Sequence, residues 1–188
     1  MLLRVPGAPA QPHETVLFAD HDKAAVEARL NDVFGRVARP VADPTIRVCV
    51  SQESPESWSV HTIAPRHGTG PGAIDWSASG LAADYAQILI ATLVRRGLLQ
   101  PGGAEIVRII SPADRELATG VPGGAAYGPA SHDLRSMLLR SAVAQPTRGL
   151  YHVGASARPG PGLPFAALSA WHANELINPP KSRPTPNP

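Results

Sequence analysis

A single cysteine, Cys49, occurs in the 188 residues, which excludes an intramolecular disulfide and a cysteine-based zinc cluster. Aromatic residues make up 5% of the chain and charged residues 17%. The arginines are scattered and the net charge is +2, so there is no basic block to follow a nucleic-acid backbone and no nucleic-acid partner is expected. No window approaches the roughly 18 uninterrupted apolar residues of a membrane span. The apolar start, residues 1–5, meets Pro6 too early to be a secretory signal. A cytoplasmic protein is expected, with at most peripheral contact with the inner face of a membrane. The seven histidines form no His-x-x-x-His or His-Glu-x-x-His pattern, so no metal site is expected. Ser156 lies between Ala155 and Ala157, outside any Gly-x-Ser-x-Gly elbow, which disfavours a serine hydrolase. Gly-x-Gly-x-x-Gly, the turn that grips a dinucleotide pyrophosphate, occurs nowhere.

Hydrophobic residues supply 43% of the chain, enough for the core of one ordinary domain. The 21 prolines, about twice the usual share of roughly 5%, predict many loops and interrupted elements. Residues 2–5 are strand-like but lack a lead-in. Residues 13–19 read as a strand, and residues 22–34 as a helix with Ala25, Val26, Leu30, Val33 and Phe34 at helical spacing and Asp20 or Asp22 as N-cap. Residues 45–51 alternate Ile46, Val48 and Val50 with Arg47 and Cys49, the mark of a half-buried strand. Residues 58–64 form another, pairing antiparallel with the last across a short loop. Residues 65–72 are too rich in glycine and proline to be regular.

The clearest helix runs from about residue 79 or 81 to 96, with Leu81, Tyr85, Ile88, Leu89, Thr92 and Leu93 on one face and Gly97 as the terminating residue. That stripe, with Trp58 and Trp76, reads as core. A strand at 105–111, a short helix opened by Ser111 and Pro112 and ended by Gly120, and a glycine-rich passage at 121–128 follow. The fold class expected is α+β: a mainly antiparallel sheet with helices on one side.

Residues 149–177 say most about purpose. An apolar run reaching Gly154 leads into a Gly/Pro turn and then a helix starting near Pro164, so free backbone N–H groups gather at a helix N-terminus. Such an end attracts anionic or carbonyl groups, and glycines let them approach closely.

Gly149, Leu150, Tyr151, Val153, Gly154, Ala155, Ser156, Pro159, Gly160, Gly162 and Pro164 stand in the register of one known pattern. The stretch resembles the C-terminal flavin-contacting segment of phytoene-desaturase-like carotenoid oxidoreductases, within the FAD-dependent amine oxidase superfamily. Weaker matches fall in the family's order: residues 13–18, 43–46, 110–114 and 124–128. Arg158 and Pro161 depart from the pattern, which has His and Gly there. The resemblance implies FAD as cofactor, an apolar polyene-type substrate and hydride transfer to the flavin. It carries flavin contact onto Gly154, Ala155, Ser156, Arg158, Gly160, Gly162, Leu163 and Pro164, and assigns no catalytic residue. It also implies a substrate-domain-like region at 1–148, a flavin-contacting strand, turn and helix at 149–177, and a proline-rich disordered tail at 178–188. Because family members carry the missing glycine motif in an N-terminal Rossmann unit, the chain looks like the C-terminal part of such an enzyme. It is expected to be inactive alone, needing a Rossmann-bearing partner chain or, through its exposed strand edge, forming a homodimer. The alternative is a non-catalytic apolar-ligand or protein-interaction module, or a truncated remnant.

Overall fold

Alternation of apolar and polar side chains builds the central sheet, as seen in a computed structural model that describes residues 1–8, 11–19, 21–126 and 140–179. The strands are β1 (Leu2–Arg4), β2 (Glu14–Leu17), β3 (Ile46–Val50), β4 (Ser57–Thr62), β5 (Arg66–His67), β6 (Ala73–Ile74) and β7 (Glu105–Arg108). Five of them form one sheet in the order β2-β3-β4-β1-β7. Every neighbouring pair in it is antiparallel. The short N-terminal run therefore takes an interior place, between β4 and β7. Within residues 65–72, expected to be irregular, Arg66–His67 form β5, which makes a two-residue parallel ladder with β6 just beyond.

One face of the sheet carries Leu3, Ile46, Val48, Val50, Trp58 and Val60, all buried. Against them pack Tyr85, Leu89 and Leu93 of α2 (Leu81–Arg95) in a single core cluster. Each fully buried side chain of this size contributes about 1.5–3 kcal/mol. Trp58 and Trp76 bury their rings and donate their indole N–H groups to Pro55 O and Pro65 O at 3.0 and 2.9 Å. At the C-terminal end of α2, Arg95 and Arg96 both reach Asp43, and Arg96 also donates to Leu17 O and Pro44 O. The two arginines thus tie the end of α2 to the lead-in of β3.

The other helices are α1 (Lys23–Phe34), α3 (Pro112–Thr119) and α4 (Leu163–Ile177). Asp22 caps α1 by accepting from Ala25 N at 2.9 Å; Asp20, the other candidate cap, lies outside the described residues. The apolar stripe of α1 departs from expectation, because Val33 alone is buried while Val26, Leu30 and Phe34 are exposed. Helical spacing shows which side chains share a face; whether that face meets the core depends on where the helix is anchored. Ser111 and Asp114 close a reciprocal capping box on α3, and Gly120 ends it at φ 69°. A 3-10 turn, Pro122–Gly124, then folds back on α3. There Gly124 lies so close to Pro112 O that a Cβ would meet it at 2.0 Å.

The class is α+β with a mainly antiparallel sheet. By contacts the chain forms two compact units, Met1–Gly124 and Ala125–Pro188. The sheet and α1 to α3 belong to the first, the glycine-rich turn and α4 to the second. The sequence matches at 127–128 and the tail from 180 onward lie outside the described residues.

Candidate functional site

The second unit is built around the turn between Gly154 and Gly162. The strand expected over 150–154 is a single antiparallel bridge, Tyr151 with Ala144. Gly149 at φ 79° and Gly154 at φ 110° bracket it, leaving too short an extended run for a strand. The edge expected to be unpaired is met by this bridge and by a parallel one between Ser141 and Ala157.

The turn is held from beneath by two residues that the sequence reading passed over. Ser169, on α4 and fully buried, accepts from Gly154 N at 2.9 Å and donates to Ala166 O at 2.7 Å. Arg140 is 4% exposed and donates from Nη1 to Ala155 O at 3.1 Å. Arg158 donates from its backbone N to Ser141 O and from Nε to Arg140 O, both at 3.0 Å. Gly160 is buried against Arg140: a Cβ there would come within 3.8 Å of Nε. Both arginines are therefore drawn to one short loop. Ser169 was readable in principle, since Ala166, Ser169 and Ala173 put small residues on one side of a helix otherwise rich in Leu, Phe and Trp. Arg140 closes an apolar run after Met137, Leu138 and Leu139, a weaker signal.

The expected contact residues fall into two groups. Gly154, Ala155, Arg158 and Gly160 gather around Arg140 and Ser169 as above. Gly162, Leu163 and Pro164 form the entrance of α4, with Gly162 as N-cap at φ 112° and Leu163 86% exposed. Ser156 lies exposed at the crest. No side chain caps α4, so among the described residues the first-turn amides of Leu163 and Phe165 have no side-chain acceptor, and Pro164 brings none to satisfy. A Cβ at Gly154 would meet nothing within 4 Å among the described residues, which leave the turn open on that side. Glycine is required there by its φ and not by crowding. A glycine-lined loop with an uncapped helix end beside it suits a flat ligand edge carrying carbonyl or anionic character.

The first unit presents a different surface. The sheet face away from α2 carries Glu14, Arg47, Cys49, Ser57, Ser59, His61 and Leu2. Register aligns Glu14, Cys49, Ser59 and Leu2 in a row across four strands. Leu2, His13, Cys49, Ser51, Ser57, Ser59 and Val107 line a shallow depression of about 350 Å³ here. Glu14 and Arg47 form a two-point ion pair at 2.7 and 3.0 Å; this pairing holds the Glu14 carboxyl below its ordinary range. Ser59 Oγ and His61 Nε2 lie 2.6 Å apart. Desolvation lowers the His61 pKa, aided by the Met1 ammonium and Arg47, so the imidazole is neutral near pH 7. Among the described residues no group of three His, Cys, Asp or Glu side chains is placed to hold a metal ion.

The hydroxyneurosporene desaturase of Rubrivivax gelatinosus is 30% identical over 182 residues, covering 93% of this chain. This chain is homologous to one third of a carotenoid desaturase. The 1-hydroxycarotenoid 3,4-desaturase of Flavobacterium sp. (strain P99-3) is 29% identical over 174 residues, covering 86% of the chain. In both cases the chain spans 33% of the relative's length. No family model matches the chain. The likeness to these desaturases runs through both units, so the sheet and the glycine-rich turn share one ancestry. No helix among the described residues is long and apolar enough to cross a membrane.

Proposed function

We propose that this chain is the C-terminal portion of an FAD-dependent desaturase of the carotenoid type, acting on an apolar polyene that bears a hydroxyl group. The observation that carries the reading is the turn: Gly154 open to approach, Arg140 and Arg158 on one loop, and α4 without a side-chain cap. The hydroxylated substrate class rests on the names of both relatives.

The residues present fit one edge of a flavin. Residues 154–164 supply backbone donors and glycine-lined access, although Pro161 and Pro164 reduce the number of N–H groups. FAD, when bound, supplies the acceptor for a hydride taken from a C–C unit of the substrate. The chain's own part is positional and electrostatic. The dipole of α4 favours negative charge beside Gly162 and Leu163. Ser169 and Arg140 keep the turn in shape. No side chain here is assigned as a general base. The pyrophosphate grip comes from a Rossmann-bearing polypeptide, so these residues alone bind FAD weakly and are inactive.

Mixing the purified chain with a homologous polypeptide that carries Gly-x-Gly-x-x-Gly tests this directly. Flavin fluorescence quenching should show FAD affinity rising in the mixture, and Gly154→Val should remove the gain. An affinity equal to that of the added polypeptide alone sinks the reading.

A further inference from the structure

The open face of the sheet holds a polar pair that the flavin-binding turn does not use. Ser59 projects into the depression and His61 stands next to it on the same face, two residues along β4. Three other polar side chains line the depression and are already engaged. His13 Nδ1 is 2.8 Å from Val50 O, the Ser57 hydroxyl donates to Ser54 Oγ at 3.1 Å, and Ser51 Oγ accepts from Ser54 N at 3.2 Å. Ser59 differs in that its hydroxyl meets His61 alone among the described residues.

A neutral imidazole shares one proton position with the hydroxyl, in either of two arrangements. If Ser59 donates to Nε2, its oxygen is left to accept. If Nε2–H donates to Ser59, the hydroxyl proton is left to give. The pair can therefore meet an alcohol, which is both donor and acceptor, without charging either group.

The surroundings select what carries that alcohol. Leu2 sits directly opposite Ser59 in the register, Cys49 flanks it on the other side, and Val107 adjoins the row on the edge strand. Leu2 is 37% and Val107 63% exposed, so an apolar molecule lying across them removes their surface from water. The Glu14–Arg47 pair is self-satisfied on the neighbouring strands, and no unpaired charge is needed in the ligand.

We propose that Ser59 and His61 are specificity-determining residues that hydrogen-bond the hydroxyl of an acyclic isoprenoid alcohol whose hydrocarbon chain lies over Leu2 and Val107. The proposal rests on the substrate class assigned above and goes further by naming the residues that read the hydroxyl. It predicts discrimination: the hydroxylated ligand is preferred because a hydrocarbon leaves the pair facing apolar surface without a partner.

The depression lies wholly within the first unit, so the test uses the 188-residue chain. The probes are an acyclic diterpene tertiary alcohol and the matching diterpene hydrocarbon, dispersed in the same detergent. Dissociation constants are measured by calorimetry, and the His61 ring nitrogens are followed by NMR. The wild type should bind the alcohol roughly five- to tenfold more tightly, as one net hydrogen bond implies. The His61 signals should move with the alcohol and stay still with the hydrocarbon. Ser59→Ala and His61→Leu should erase the preference while keeping hydrocarbon affinity, and Ser57→Ala should retain it. Equal affinity for the two probes in the wild type, absence of binding by both, or a preference that survives Ser59→Ala overturns the proposal. FAD affinity in the mixing experiment reports separately on the desaturase reading, so loss of one leaves the other standing.

Discussion

Tyr85 shows how one side chain can be well placed and still carry a cost. Its ring packs against Trp76 at 5.7 Å between centroids, and its hydroxyl is buried without a well-formed hydrogen bond among the described residues. Burial pushes its pKa up to about 12, with Thr62 and the Val41 backbone pulling only weakly the other way. An unsatisfied buried hydroxyl costs about 1–3 kcal/mol. Tyr85→Phe should therefore leave stability unchanged or raise it by about 1 kcal/mol, read as a higher urea midpoint at constant slope. His61 titrates with the opposite consequence for pH. Its folded pKa is below the ordinary 6.5, so the unfolded chain takes up the proton first as pH falls, and stability declines from pH 6.5 toward the folded value. His61→Gln should flatten that part of the curve, so the wild type loses melting temperature relative to the variant as pH falls below about 6.5. The Glu14–Arg47 pair fails at still lower pH, below the ordinary carboxylate range, and does not confuse the measurement. The charge couplings do not show in the sequence, because Arg47 and Met1 reach His61 only through pairing of β3 and β4 and the closing of β1.

Among the elements, those whose pattern and end signals agreed were legible: β3 from strict alternation, α2 from its stripe and Gly97, and α3 from Ser111, Pro112 and Gly120. The same pattern failed to locate α1 against the core, since Val26, Leu30 and Phe34 share the stripe of Val33 yet face outward. In the glycine-rich turn, local chemistry gave the bend and the start of α4, whereas its supports come from residues 14 or more positions away. Gly154 depends on Ser169, and Ala155 on Arg140. That dependence is measurable. Ser169→Ala leaves the Gly154 N–H without its acceptor, at a cost of about 1–3 kcal/mol. Hydrogen exchange at Gly154 should speed up, and any gain in FAD affinity with a partner should weaken, while the amides of β3 keep their protection.

At the scale of the molecule, the division into two units separates two kinds of stabilisation. The first unit owes its stability to an ordinary apolar core between α2 and one face of the sheet. The second holds its glycine turn largely through buried polar contacts, those of Ser169 and Arg140. Ancestry was legible because conformation-demanding glycines and prolines cluster at 149–164, where few residue types are tolerated. The outward face of the sheet was not legible as a site, since Ser59 and His61 are ordinary residues for an exposed strand until register sets them beside Leu2 and Val107. The interior place of β1 governs how the chain reaches this state. Its three residues bond to β4 on one side and β7 on the other, so strands made first must wait for strands made last. During synthesis the outer edge of β1 stays unpaired until residues 105–108 have left the ribosome. Such a chain is at risk of aggregation while it is being made more than after it has folded.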